Sequence, residues 1–307
     1  MKKDKCFEAT EFNNIKEIIY NSANKYANTN AFIIKNNFNE RDASAAGKYT
    51  YITYKAFLKD INSLGTEFFK RGYKGKRIAL LGKNCYEWAL THFTNLLGGI
   101  VSVPLDKELH DVELSQSVIR SKADVIVFDS KYVDKIEKLK SIEEVNVKEY
   151  ISMEKLDGYL DILSIKNEGE KLLKKGNKEY VNYKIDSEKM SILLFTSGTS
   201  ANSKAVMLSQ KNIASNIYAM QLVEPIGEGD VNIALLPFHH IFGSTGMLVM
   251  LATGVKTVFP DGLRYIKQNL KEYGVSVFVG VPLLVNKMYE NIEKEIEKQG
   301  KTKLINC

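Results

Sequence analysis

Between residues 77 and 128 the chain repeats one pattern: a short apolar run, then a longer stretch with helical spacing. Residues 78–81, 100–103 and 125–128 read as strands, and 86–97 and 112–119 as the helices between them. Apolar runs of four residues without polar alternation suit strands that are buried on both faces. Strands separated by helices at this rhythm pair mostly in parallel, with helices covering both sides. The expected fold class is α/β, with layered, mostly parallel sheets flanked by helices.

The flanking segments extend this reading. Ile15, Ile18, Ile19, Ala23 and Tyr26 make a helical stripe, and residues 31–34 and 49–52 read as strands around a loop at 36–48. Thr53 caps a long amphipathic helix carrying Phe57, Leu58, Ile61, Leu64 and Phe68 on one face, which Gly72 stops. From 131 to 183 lysine and glutamate alternate and the apolar runs shorten. This stretch is read as peripheral helices and loops of the same domain with a strand near 149–152; a charge-rich linker is the competing view. Beyond it come a helix at 210–222, a strand at 231–236, a helix at 244–251 and strands at 255–259 and 275–279. A last amphipathic helix carries Val285, Met288, Tyr289, Ile292 and Ile296 on one face, with Glu290 and Lys294 at i, i+4; core packing is expected for that face.

The most chemical segment is Thr196-Ser197-Gly198-Thr199-Ser200-Ala201-Asn202-Ser203-Lys204, set between the apolar runs 191–195 and 205–208. A strand enters a loop of hydroxyls and one glycine, and a lysine stands where the chain leaves it. Small side chains let backbone N–H groups converge on an anion, hydroxyls add donors, and the ammonium adds a point charge. A Ser/Thr-rich hairpin turn without a ligand is the competing reading of these residues alone. Gly198 and Lys204 have the separation of the first glycine and the lysine in a Walker A loop. Ser203, however, replaces that motif's second glycine, Ala205 replaces its magnesium-binding hydroxyl, and a strand rather than a helix follows.

The loop resembles instead the phosphate-binding signature of the adenylate-forming superfamily, T-S-G-T-[ST]-G-x-P-K-G-V. The match holds at Thr196 to Ser200, Lys204 and Val206, and fails at Ala201, Ser203 and Ala205. Four other segments follow the family, the first being Tyr49-Thr50-Tyr51-Ile52-Thr53-Tyr54-Lys55-Ala56-Phe57, which is similar to its T-Y-x-E-L start. Leu236-Pro237-Phe238-His239-His240-Ile241-Phe242-Gly243 is similar to its P-[LF]-x-H-x-[FY]-G motif. Residues 95–106, ending Val103-Pro104-Leu105-Asp106, are similar to its A-G-A-x-x-V-P-L-D segment, and 278–284 to the V-P-P strand end bordering the acyl pocket. The resemblance implies that Thr196, Ser197, Gly198, Thr199, Ser200 and Lys204 bind nucleotide phosphates and that His240 faces the reacting carboxylate. It also implies that Phe242, Gly243 and Gly280 shape the substrate pocket. His239 is expected to be structural.

By the same resemblance, the chain activates a carboxylic acid, a fatty acid by its likeness to long-chain fatty acid–CoA ligases, to an acyl-adenylate and then a thioester. ATP, Mg2+ and coenzyme A are the implied cofactors. The whole of 1–307 is expected to be an incomplete N-terminal AMP-binding domain, since the Y-G-x-T-E segment that supplies the family's magnesium glutamate, its ribose aspartate and its C-terminal catalytic lysine do not occur. The chain alone is accordingly expected to adenylate little or nothing, with a second polypeptide as the partner supplying the remainder. The alternatives are a non-catalytic nucleotide-binding remnant and an enzyme that loads a carrier protein.

Composition narrows the rest. The net charge of +6 arises from 43 basic and 37 acidic residues thoroughly mixed along the chain, so no basic block marks a nucleic-acid binder. Cys6, Cys85 and Cys307 are odd in number, far apart and without metal-ligand spacing, which suggests reduced thiols and a cytoplasmic location. The apolar stretch at 247–252 falls far short of the ~18–20 residues a membrane span needs.

Overall fold

The computed structural model describes residues 7–36, 49–196 and 203–298. Helix α1 (Ile15–Lys25) opens at Asn14, whose side chain accepts from the Glu17 amide. Strands β1 (Asn30–Lys35) and β2 (Tyr49–Thr53) pair antiparallel, and Thr53 caps α2 (Tyr54–Lys70), its hydroxyl accepting from the Ala56 amide at 3.1 Å. The alternating region follows as β3 (Arg77–Leu81), α3 (Tyr86–Leu97), β4 (Val101–Leu105), α4 (Asp111–Ser121) and β5 (Val125–Phe128). Next are α5 (Val133–Lys140), β6 (Glu149–Ser152), β7 (Leu160–Asp161) and α6 (Ile162–Lys174). The chain then forms β8 (Met190–Thr196), β9 (Lys204–Ser209), α7 (Gln210–Val223), β10 (Val231–Ile233), α8 (Ile241–Thr253), β11 (Lys256–Val258), α9 (Ile266–Tyr273) and α10 (Pro282–Lys298).

Seven strands form the main sheet in the order β7-β6-β5-β3-β4-β8-β9, parallel except for the β8–β9 hairpin. A second sheet has the order β10-β11-β1-β2. Both sides of the main sheet are covered, as the apolar runs require. Ile78, Leu80, Val125 and Val127 pack with Trp88, Phe93 and Leu97 of α3. Their neighbours Ala79, Leu81, Ile126 and Phe128 point the other way, into a second core with Leu114 and Val118 of α4 and Ile136 and Leu139 of α5. Strand β9 is the margin of this sheet, with Met207 68% exposed.

The charge-rich stretch is an integral layer rather than a linker. Tyr180 is fully buried and its hydroxyl donates to the Thr94 carbonyl at 2.8 Å. Room for its ring exists because positions 65 and 98 are glycines; a Cβ there would stand 2.2 and 2.5 Å from it. Lys16 Nζ donates to the carbonyls of Tyr180, Val181 and Tyr183, and its burial lowers its pKa to about 8. Helix α6 lies directly on α2, where a Cβ on Gly169 would meet the Ser63 carbonyl oxygen at 1.8 Å.

The C-terminal third departs from the sequence expectations. Residues 275–279 form no strand: beside β10 they make one isolated bridge, Asn232 to Val277, with the amides of Ser276 and Val277 both donating to the Val231 carbonyl. Helix α9 was not expected, and α8 begins three residues earlier than its pattern suggested. The expectation of core packing for the last helix is overturned. Val285, Tyr289 and Ile292 of α10 are 50–61% exposed, because apolar periodicity identifies a helix face without saying what covers it. No helix among the described residues is long and apolar enough to cross a membrane.

Replacing Tyr180 with alanine should lower unfolding free energy by about 3–5 kcal/mol, and with phenylalanine by about 1 kcal/mol. Denaturant titration checks both; a loss below 1 kcal/mol for alanine would restore the linker view. Buried His92, bonded through Nδ1 to Ser102 Oγ at 2.8 Å, has its pKa pulled to about 3 by desolvation. The unfolded chain takes up that proton near pH 6.5 and the folded chain does not, so stability falls as pH drops from about 6.5 toward 3. Between pH 7 and 5 this contributes about 2 kcal/mol, which His92→Asn should remove from the measured pH slope.

Candidate active site

The carboxyl ends of β3, β4 and β8 lie along one edge of the main sheet, since these neighbours run parallel. After β3 the chain turns toward the core that holds α3; after β4 it turns to the opposite core, which holds α4. The loops therefore diverge between these two strands, and such a switch point opens a crevice at the carboxyl ends of an α/β sheet. Asn84 stands on one side of it and Asp106 on the other.

Asn84 shapes what fills the crevice. Its Nδ2 donates to the carbonyls of Ala234 and Leu236, and its Oδ1 accepts from the Phe238 amide. Three bonds from one side chain thus hold the segment leading to the two histidines. Gly243 completes the turn, because a Cβ there would stand 2.2 Å from the Pro237 carbonyl oxygen. His240 is the N-cap of α8, though its side chain does not cap the helix.

His239 is largely buried with Nε2 3.4 Å from Asp106 Oδ1. Such a contact counts as an ion pair only when the imidazole is protonated. Desolvation pulls the His239 pKa to about 4 despite the opposing Asp106 charge, so at neutral pH a neutral ring faces a carboxylate. His240 is exposed, its ring centroid 4.3 Å from that of His239. Asp106 Oδ1 also accepts from the Glu108 amide at 2.9 Å, which fixes the carboxylate.

The hairpin expected around the phosphate loop is present. Thr196 and Lys204 are register partners at its mouth, one strand removed from β4. Arg120 of α4 donates to the Ser203 carbonyl and hydroxyl at 2.7 and 3.1 Å and lies over the Phe195 ring. Ser197, Gly198, Thr199 and Ser200 lie outside the described residues. Phe242 is half exposed beside His240. Gly280 sits against the Phe278 ring, and its neighbour Val279 packs on Gly246 of α8. The crevice formed by Leu236, Phe238, Gly243, Met247 and Val279 has only about 10 Å³ of open space. Roomier hollows of about 510 and 690 Å³ lie along α6 and beside Lys25 and Tyr26, and hold neither the histidines nor Lys204.

Residues 21–304 match the AMP-binding enzyme family. The chain belongs to that family. Long-chain-fatty-acid–CoA ligase 5 of Mus musculus is 27% identical over 277 residues, which are 84% of this chain and 40% of that protein. The chloroplastic long-chain-fatty-acid–[acyl-carrier-protein] ligase AEE15 of Arabidopsis thaliana is 26% identical over 80% of this chain and 36% of its own length. This family member thus spans about two-fifths of the curated relatives it matches. Among solved structures, a long-chain-fatty-acid–CoA ligase (FadD1) of Archaeoglobus fulgidus superposes with a TM-score of 0.79 at 16% identity, over 96% of this chain and 57% of its own. That likeness bears out the fold: a mostly parallel sheet with helices on both faces.

Sequence reasoning gave no role to Asn84 or Asp106. Asp106 closed a segment taken as purely structural, and Asn84 is one asparagine in a loop; only the strand ends that precede them give a signal. Replacing Asn84 with alanine orphans three backbone groups and should destabilise the protein by about 2–3 kcal/mol. Asn84→Asp should do worse, since it sets a carboxylate against two carbonyl oxygens; equal melting temperatures for wild type and both variants would refute the clamp.

Proposed function

We propose that this AMP-binding family member activates a carboxylic acid, a fatty acid in particular, with ATP. The supporting observation is that Thr196 and Asp106 stand at the carboxyl ends of the neighbouring parallel strands β8 and β4, that Lys204 opposes Thr196 where the antiparallel β9 begins, and that Asp106 meets the histidine pair on that edge. In this reading Lys204 and the Thr196 hydroxyl, together with the loop between them, hold ATP phosphates. A hydroxyl and an ammonium opposite each other at the mouth of the hairpin suit a polyanion. A carboxylate oxygen of the acid attacks the α-phosphorus, the new O–P bond forms, and the P–O bond to pyrophosphate breaks. A thiol then attacks the acyl carbon and releases AMP.

Both partners in the first step are anions, so positive charge and N–H donors must already be in place when they meet. His240, exposed at the start of α8, is the group assigned to the acid's carboxylate. Magnesium accompanies the triphosphate, and coenzyme A supplies the thiol. The Arabidopsis relative, named for an acyl-carrier protein, motivates trying a carrier thiol as the second acceptor. An acyl chain needs the narrow crevice beside Gly243, Met247 and Val279 to widen.

Lys204→Ala should weaken ATP binding at least tenfold in calorimetric titration, with an unchanged melting temperature. Any carboxylate-dependent ATP–pyrophosphate exchange should fall about 10²–10³-fold. A folded variant with wild-type ATP affinity would overturn the loop assignment. Exchange measured with acids of rising chain length tests the substrate; a response to short polar acids alone would remove the fatty acid from the reading.

A further inference from the structure

Two imidazoles and one carboxylate converge at the switch point. One ligand atom from each of Asp106, His239 and His240 lies within 4.8 Å of the others. His239 Nε2 and Asp106 Oδ1 stand 3.4 Å apart. Zinc bonded at ~2.0–2.2 Å in a tetrahedron has neighbouring ligand atoms roughly 3.3–3.5 Å apart, so this pair already has the spacing of a chelate. We infer that Asp106, His239 and His240 form a binding site for a divalent transition-metal ion of the zinc type, with a fourth position open to water or an anion.

The donor set selects the ion. Two imidazole nitrogens with one carboxylate suit zinc and its neighbours, whereas calcium and magnesium prefer oxygen alone. Two of the three ligands are held in advance. Asp106 is oriented by the Glu108 amide, and the backbone carrying His239 is held by Asn84. Such support is what distinguishes a built site from a chance cluster of surface histidines. His240 is exposed and does not cap its helix, and one of its ring nitrogens already lies within 4.8 Å of the other two ligand atoms. Lys107, beside Asp106, opposes the ion's charge, though it is itself paired with Glu108. Affinity should therefore be micromolar rather than that of a closed four-ligand structural site.

A chemical consequence depends on the proposed function. A metal held by His240 removes the imidazole assigned to the acid's carboxylate, so zinc should inhibit acid activation competitively with the acid. Binding itself does not depend on that reading.

The test is a zinc titration of the metal-free full chain against a chromophoric chelator at pH 7.5. One equivalent should bind with micromolar affinity. Asp106→Asn and His240→Gln should each weaken binding at least tenfold, while His110→Gln, an exposed histidine at the start of α4, should leave it unchanged. His240 is a surface residue, so its variant should keep the fold, as a thermal melt verifies. X-ray absorption should report two imidazole nitrogens in the first shell. Binding weaker than millimolar, or affinity unchanged in folded Asp106→Asn and His240→Gln, overturns the site. Loss of ATP binding with zinc binding intact would instead count only against the proposed function.

Discussion

The central sheet must be buried on both sides, and most of the architecture follows from that constraint. Consecutive residues of β3 and β5 point into different cores, so neither face tolerates water. Helices must cover each face, and successive connections must leave the sheet in opposite directions. Where α3 and α4 part company, backbone and polar side chains at the strand ends are left without a covering layer. The crevice that receives the histidine segment results from burying the sheet twice over, not from any residue within it.

Within the crevice, polar groups are positioned mainly through the backbone. Asn84 directs its amide at backbone groups and so sets the path of the chain that bears His239 and His240. Burial then keeps His239 uncharged beside Asp106. The result is an uncharged ring beside a carboxylate on one side and, two strands across from β3, a hairpin whose mouth carries a lysine. In the proposed reading, an ammonium already fixed by a strand serves to bring two anions together, because the charge need not be assembled during the reaction.

The legible parts of the sequence were those where one physical rule acts alone. Doubly buried strands show as unbroken apolar runs, Thr53 shows as a cap, and the β8–β9 hairpin shows as two such runs around hydroxyls. Residues 275–279 mislead because a β-branched run suits a strand only if an edge is available, and here a single bridge is formed. The stripe on α10 revealed a helix but not its surroundings. Asp106 and Asn84 were silent because a polar residue in a loop acquires meaning only from segments more than a hundred residues away. The histidine pair was visible as a motif, whereas its carboxylate partner was not.

The berth of Tyr180, finally, governs how freely this chain can drift in sequence. Its surroundings between 131 and 183 are mostly lysine and glutamate on the outside, where one charge replaces another at little expense. The ring and the two missing side chains that admit it form a lock with three parts. Homologues should vary freely at the exposed positions of that layer yet change these three positions only together.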